Sequence, residues 1–395
     1  MPQTPVMDRW IRETVNRHLP WSVHVDLTYR CNERCIHCYL DHEDHGEMST
    51  AEIKNVLSQL AESGTLFLTF SGGEIFLRQD IFELIEFARD LHFDVSLKTN
   101  ALLIDAERAR RLRDLAVRKI QVSIYSADPE VHDAITKVRG SLARTLAAIR
   151  FLQAQGLLVK IACPLMKQNL TAYRNVQALA QELGVPYVMD LTITPKMDGD
   201  MSLLQLRNSA AELLPVLQDP VLNPHSCSRD AAPSAVLPTG SAVSSGIESS
   251  AYEDIPCSAG HNSCYISPYG DVYPCVQMPL ATGNVRQQPF LEIWNHSPEM
   301  SRVRAVRESQ LPVCSTCSIR QYCERCPGLA QMEGGDLLGA YERACEMAEL
   351  KARMAGIAEP ISALHLQKLP QPDFCALQSQ ADPASSSRPI VSVRG

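Results

Sequence analysis

No stretch of the 395-residue chain comes near eighteen consecutive apolar residues, which argues against a membrane-spanning helix. Met1–Pro20 carries too many charges to form the apolar core of a secretion signal. A basic surplus is also missing: 37 Lys and Arg stand against 45 Asp and Glu, a formal charge of −8. A polyanion partner selects a basic face, so nucleic acid is disfavoured as the main partner. The composition is not that of a disordered or collagen-like chain either, since 45% of residues are hydrophobic and 21% charged. The expectation is a cytoplasmic protein with no membrane attachment. At about 100–200 residues per domain, the length implies two or three units.

What the chain has in excess is cysteine, fourteen in all. In a reducing compartment disulfides explain them poorly. Cys31, Cys35 and Cys38 lie together, and eight more fall between Cys257 and Cys345; Cys163, Cys227 and Cys375 stand apart. Cysteines grouped in this way point to metal.

From Val23 to about Pro195 a short β-branched run, a loop and a longer stretch of helical spacing alternate, the pattern of βα units. Strands are expected at Val23–Thr28, Leu66–Ser71, Asp94–Thr99, Ile120–Ser126, Val159–Leu165 and Tyr187–Thr194. Ser49 before Glu52 and Asp80 before Glu83 read as helix-capping pairs, and Gly184 as a helix stop. Six such units imply a parallel sheet, either open and doubly wound or curled into part of a barrel. Both place ligands at the carboxyl ends of the strands. The expected divisions are an N-terminal segment 1–21, an α/β core 22–224, a Ser-, Ala- and Pro-rich linker 225–256, a cysteine-rich unit 257–358 and a disordered tail 359–395. Within the cysteine-rich unit, Pro268-Tyr269-Gly270-Asp271 reads as a tight hairpin turn.

The first strand runs into Cys31, Cys35 and Cys38, spaced C-x3-C-x2-C. Iron–sulfur clusters of the [4Fe–4S] type normally take four cysteines, so three leave one iron open. Structural zinc closes with four ligands and favours paired C-x2-C hooks, which fits this spacing less well. Gly72-Gly73-Glu74 ends the second strand, where two glycines admit close backbone approach and a carboxylate can accept from a cation.

Together these motifs resemble the radical S-adenosylmethionine (SAM) enzymes, over residues from about Ser22 to Pro195. The resemblance implies a partial (βα)6 TIM-like barrel. It further implies a cluster on Cys31, Cys35 and Cys38 whose open iron chelates SAM. One electron then splits SAM to methionine and a 5′-deoxyadenosyl radical that abstracts hydrogen from substrate. Carried over to this chain, the cofactor shell comprises Tyr39 beside the adenine, Gly72, Gly73 and Glu74 at the SAM ammonium, Thr99 and Asn100 near its methionine part, and Ser123 and Arg139 at its carboxylate or ribose. His37 reads as a spacer, and His132 and Asp133 as capping or turn residues.

The distal cysteines are Cys257, Cys264, Cys275, then Cys314-x2-Cys317-x5-Cys323-x2-Cys326, and Cys345. Spacing alone is also compatible with a zinc ribbon. Beside the first motif they resemble the SPASM extension, which holds two auxiliary [4Fe–4S] clusters. The resemblance implies one on Cys257, Cys264, Cys275 and Cys326 and another on Cys314, Cys317, Cys323 and Cys345, although the family's usual x3 between the ligands at Cys323 and Cys326 is x2 here. Fully ligated clusters would pass or accept electrons rather than bind substrate.

Members of this extension family mostly modify peptides or proteins, and some decarboxylate porphyrin side chains. The sulfatase-maturing branch carries a basic aspartate after the cysteine at the Cys275 position; Val276 stands here and cannot take a proton. The expected reaction is therefore an oxidative modification of a ribosomally made peptide or a protein side chain. About twenty residues precede the first strand, too few for a winged-helix leader-binding module, so a separate leader-recognition protein is expected, with flavodoxin or ferredoxin as electron donor. Tetrapyrrole or other small-molecule modification is the enzymatic alternative. A non-catalytic iron–sulfur or zinc protein for electron transfer or binding is the alternative of another class. Tyr125, Tyr187, Asp190 and Lys196 lie near strand ends, and the sequence does not separate chemistry from packing among them.

Overall fold

The computed structural model describes residues 6–222 and 254–368. After an N-terminal helix α1 (Val6–Asn16), six parallel strands follow: β1 (Ser22–Thr28), β2 (Phe67–Gly72), β3 (Asp94–Thr99), β4 (Lys119–Ser123), β5 (Val159–Pro164) and β6 (Tyr187–Asp190). Helices α2 (Thr50–Glu62), α3 (Ile81–Asp90), α4 (Ala106–Asp114), α5 (Pro129–Thr136), α6 (Ser141–Ala154) and α7 (Tyr173–Leu183) connect them. The strands lie side by side in chain order without a reversal, which is barrel winding and not the doubly wound arrangement. The fold is a partial TIM-like barrel.

Strand alternation decides what faces where. Val23, Val25 and Leu27 of β1, Val95 and Leu97 of β3, and Ile120 and Val122 of β4 are fully buried in the main core shared with the helices. Their neighbours His24, Asp26, Ser96, Lys98, Gln121 and Ser123 fall on the opposite, inner face of the sheet.

Local chemistry fixes the helix ends. Ser49 and Glu52 form the expected capping box on α2, with the Ser49 amide donating to Glu52 at 2.8 Å. Asp80 makes no side-chain cap on α3. Its carboxylate instead binds Arg78, at 2.9 and 2.7 Å, and Thr50 at 2.6 Å. A buried guanidinium is a stronger partner than a backbone amide. Gly184 ends α7 in the left-handed region at φ 65°. β4 and β6 are shorter than expected: Tyr125 donates its amide to His132 beyond β4, and the Thr192 amide turns back to the Asp190 carboxylate.

The cysteine-rich region is joined to the barrel sheet. β7 (Ser263–Ile266) pairs in parallel with β1, and β8 (Asp271–Tyr273) and β9 (Gly283–Asn284) continue the sheet antiparallel. The β7–β8 hairpin turns at Gly270, φ 89°, as its sequence predicts. A buried network reinforces the join: Tyr265 donates to Asp26 at 2.9 Å, its hydroxyl lies 2.7 Å from that of Tyr29, and His24 reaches Asp26 at 2.9 Å. The expected tail is partly structured, since Ala363–Lys368 form a helix whose His365 contacts Glu349 and Glu342. Residues 369–395 and most of the linker, 223–253, lie outside the described residues.

Tyr265→Phe removes the donor that satisfies fully buried Asp26 from β7. It is expected to lower the unfolding free energy by about 1–3 kcal/mol, read by anaerobic urea denaturation.

Candidate active site

The loop after β1 is clamped from three sides. Gly73 donates its amide to the Thr28 carbonyl at 2.7 Å, and Glu74 donates to the Arg30 carbonyl at 2.9 Å. A Cβ on Gly73 would come within 2.3 Å of the Arg30 oxygen, so only glycine admits this approach. Glu47 accepts from the Thr28 hydroxyl and the Tyr29 amide, while the Arg34 and Ile36 amides donate to the Thr136 and Ile135 carbonyls. Cys31, Cys35 and Cys38 consequently line one cavity of about 330 Å³ at the carboxyl ends of the strands.

Tyr39, Gly72, Gly73, Thr99, Asn100 and Ser123 line the same cavity. Two expected members do not. Glu74 is fully buried behind the wall: its carboxylate accepts from the Thr99 hydroxyl, at 2.9 and 2.7 Å, from the Asn100 amide at 2.9 Å and from the Phe76 amide at 3.0 Å. Burial raises its pKa against the pull of these donors. From there Glu74 supports Thr99 and Asn100. Arg139 is exposed on the turn before α6, outside the cavity lining. Asp133 organises that turn, accepting from Ser141 at 2.8 Å and from the Gly140 and Leu142 amides, so its reading as a turn residue agrees with the structure. His132 accepts the Tyr125 amide at 3.2 Å through Nδ1, and burial pushes its pKa down to about 4.

The lining also holds residues to which the sequence assigned no chemistry: His37 read as a spacer, Tyr125 and Asp190 left open between chemistry and packing, and Glu33, Lys98, Gln121, Gln277 and Met332 given no role. Glu33 is buried, its pKa pushed up to about 7 by burial. His37, with its ring edge-on to Tyr125 at 4.9 Å, is held near 4 by burial. The Tyr125 hydroxyl lies 3.6 Å from the Cys35 sulfur. Lys98, Gln121 and Asp190 reach inward from β3, β4 and β6, and Val276, Gln277 and Met332 close the wall from the cysteine-rich side. Strand parity was the available signal for Lys98 and Gln121. Nothing local pointed to the residues from the cysteine-rich region. Tyr187 and Lys196 are not in the lining.

The three thiols fit an iron–sulfur group. All are partly buried and none forms a disulfide. Burial pushes Cys31 up to about 12 and raises Cys35 and Cys38 as well, so thiolates here call for a bound positive charge. Among the described residues, no three His, Cys, Asp or Glu converge as a single ion would need. The distal thiols sort by electrostatic influence into two sets. Cys326 acts on Cys257, Cys257 and Cys326 act on Cys275, and Cys275 acts on Cys264; Cys314, Cys317 and Cys345 act on Cys323.

Residues 25–193 match the radical SAM superfamily, and residues 257–318 match the iron–sulfur cluster-binding domain SPASM. An AdoMet-dependent heme synthase of Methanosarcina barkeri is 30% identical over 332 residues, 79% of this chain and 93% of that protein. Mycofactocin maturase MftC of Mycobacterium tuberculosis is 29% identical over 75% of each chain. Among solved structures, Streptococcus suis SuiB bound to precursor peptide SuiA has a similar fold, with a TM-score of 0.65 at 18% identity over 88% of this chain and 82% of that one. The fold and site thus define a barrel enzyme of cluster-dependent radical chemistry. The chain belongs to the radical SAM enzymes with a SPASM extension, an oxidoreductase class whose cofactors are SAM and [4Fe–4S] clusters. No described helix is long and apolar enough to cross a membrane.

Replacing Cys31, Cys35 and Cys38 together by alanine is expected to abolish 5′-deoxyadenosine release from SAM and dithionite while visible absorption from the distal clusters persists; loss of all iron would contradict the division into two regions. Anaerobically prepared wild-type protein should carry about twelve irons, as three [4Fe–4S] clusters require, whereas about four would leave the distal cysteines to zinc.

Proposed function

We propose that the chain cleaves SAM reductively beside Cys31, Cys35 and Cys38 and oxidatively modifies a side chain of a peptide or protein. The kinship to peptide-maturing enzymes carries this reading: mycofactocin maturase MftC of Mycobacterium tuberculosis is 29% identical over 75% of each chain.

When bound by the three cysteines, the cluster supplies one electron to the sulfonium of SAM. The residues of the chain supply position. The Gly72–Gly73 backbone leaves room for the methionine part, Thr99, Asn100 and Ser123 offer hydrogen bonds around it, and Tyr39 offers an aromatic face to the nucleotide. Glu74 holds Thr99 and Asn100 from behind. Val276 lines the facing wall without a titratable group, so this position offers no base. Cys257, Cys264, Cys275 and Cys326, and Cys314, Cys317, Cys323 and Cys345, would hold two auxiliary clusters that carry electrons away from the oxidised substrate. A flavodoxin or ferredoxin would supply the reducing electron.

The second reading is tetrapyrrole modification, favoured by the 30% identity to the Methanosarcina barkeri heme synthase over 93% of that protein. Both readings are tested by anaerobic turnover with SAM and reductant. One arm contains the peptide encoded by the short reading frame nearest the gene, the other an iron porphyrin bearing propionate side chains. The expected outcome is peptide-stimulated 5′-deoxyadenosine release with loss of two hydrogens from the peptide. Carbon dioxide release from the porphyrin, with no response to the peptide, would transfer the function to the second reading.

A further inference from the structure

Lys98 is the single lysine or arginine on the cavity wall. Its strand neighbours Leu97 and Val95 are fully buried in the core, so alternation turns Lys98 inward with Ser96. Among the described residues, the ammonium has no hydrogen bond and no ion pair. The acidic groups that act on it are Asp26, Cys275 and Asp190. Both carboxylates have other partners: Asp26 accepts from Tyr265 and His24, and Asp190 from the Thr192 amide at 2.9 Å. A sheltered ammonium without a partner is costly, and such a charge is kept where a ligand completes it. Its position matters as much as its charge. Lys98 directly precedes Thr99 and Asn100 in the cofactor shell, and it lines the same cavity as Val276 and Gln277 of the cysteine-rich side.

We propose that Lys98 is a specificity-determining residue that receives a carboxylate of the substrate between the SAM site and the cysteine-rich wall. This rests on reading the cavity as a chamber shared by SAM and substrate. One lysine matches one carboxylate, as a point charge with three donors. The partner chemistry is therefore an acidic side chain of a peptide or a propionate of a tetrapyrrole. Gln121 and Ser123, one strand over on the same wall, offer further hydrogen bonds to the same group.

The test measures substrate-stimulated 5′-deoxyadenosine release in wild type, Lys98→Met and Lys98→Arg, each with iron content determined. Two arms separate the sources of the carboxylate. One compares matched hexapeptide libraries with Glu or Gln fixed at the central position; the other compares a propionate-bearing iron porphyrin with its methyl ester. Wild type is expected to prefer the acid by at least about tenfold in one arm, because a site built around a charge rejects the neutral analogue. Lys98→Met should lose that preference and Lys98→Arg should keep part of it. A preference confined to the porphyrin arm would sink the peptide reading and leave Lys98 in its role. Three results overturn the proposal: no acid preference in either arm, a preference that survives Lys98→Met, or a raised KM for SAM with the preference intact, which would assign Lys98 to the carboxylate of SAM.

Discussion

The site depends on the buried carboxylate of Glu74. Taking a charge out of water costs several kcal/mol unless donors replace the lost hydration. Here Thr99 and the amides of Asn100 and Phe76 do so. That requirement locks the end of β2 to the end of β3. Asn100, fixed in this way, donates to Asn32 at 2.6 Å and lies 3.7 Å from the Cys31 sulfur. One buried charge therefore sets the relation between the cysteine loop and the strand ends that face it. Gly73 completes the arrangement by letting the same loop close onto the turn.

The second constraint is the continuity of the sheet. Pairing of β7 with β1, buttressed by Asp26, Tyr265 and Tyr29, places Cys264 and Cys275 against the barrel instead of on a tethered module. A bidentate contact from Arg207 to Glu333, at 2.8 and 2.6 Å and largely buried on both sides, ties the region after β6 to the far part of the cysteine-rich segment. A shared sheet and a forked ion pair thus fix the cysteine-rich region relative to the strand ends of the barrel.

Much of this was legible because backbone geometry writes itself into residue order. The β-branched runs gave all six barrel strands, Ser49 with Glu52 gave a cap, and Gly184 and Gly270 marked left-handed positions. Cysteine spacing separated the two regions. One polar side chain was assigned to its nearest local role: Asp80 reads as a cap, but Arg78 and Thr50 compete for it from outside the helix. Glu74 and Arg139 rest on the family pattern, and residue order does not tell that Glu74 is buried behind Thr99 and Asn100 or that Arg139 is exposed on the turn Asp133 organises. The union of β7 with β1 leaves no local trace, because the partners are about 240 residues apart and parallel pairing has no turn signature.

A closed TIM barrel fills its interior with branched apolar side chains. This partial barrel reverses that assignment. The apolar residues of β1, β3 and β4 face the helices, and the inner face carries His24, Asp26, Ser96, Lys98, Gln121 and Ser123. Stability is thus concentrated in the outer layer, while the inner layer contributes less packing and more chemistry. Among the described residues, the inward carboxylate of Asp26 is satisfied within the protein, whereas the Lys98 ammonium is not. Changes on the inner face can accordingly redirect substrate choice at small cost to the fold, whereas changes on the outer face threaten the whole chain. Such a division of labour suits a scaffold that can serve unrelated substrates, since inward side chains change without disturbing the outer packing.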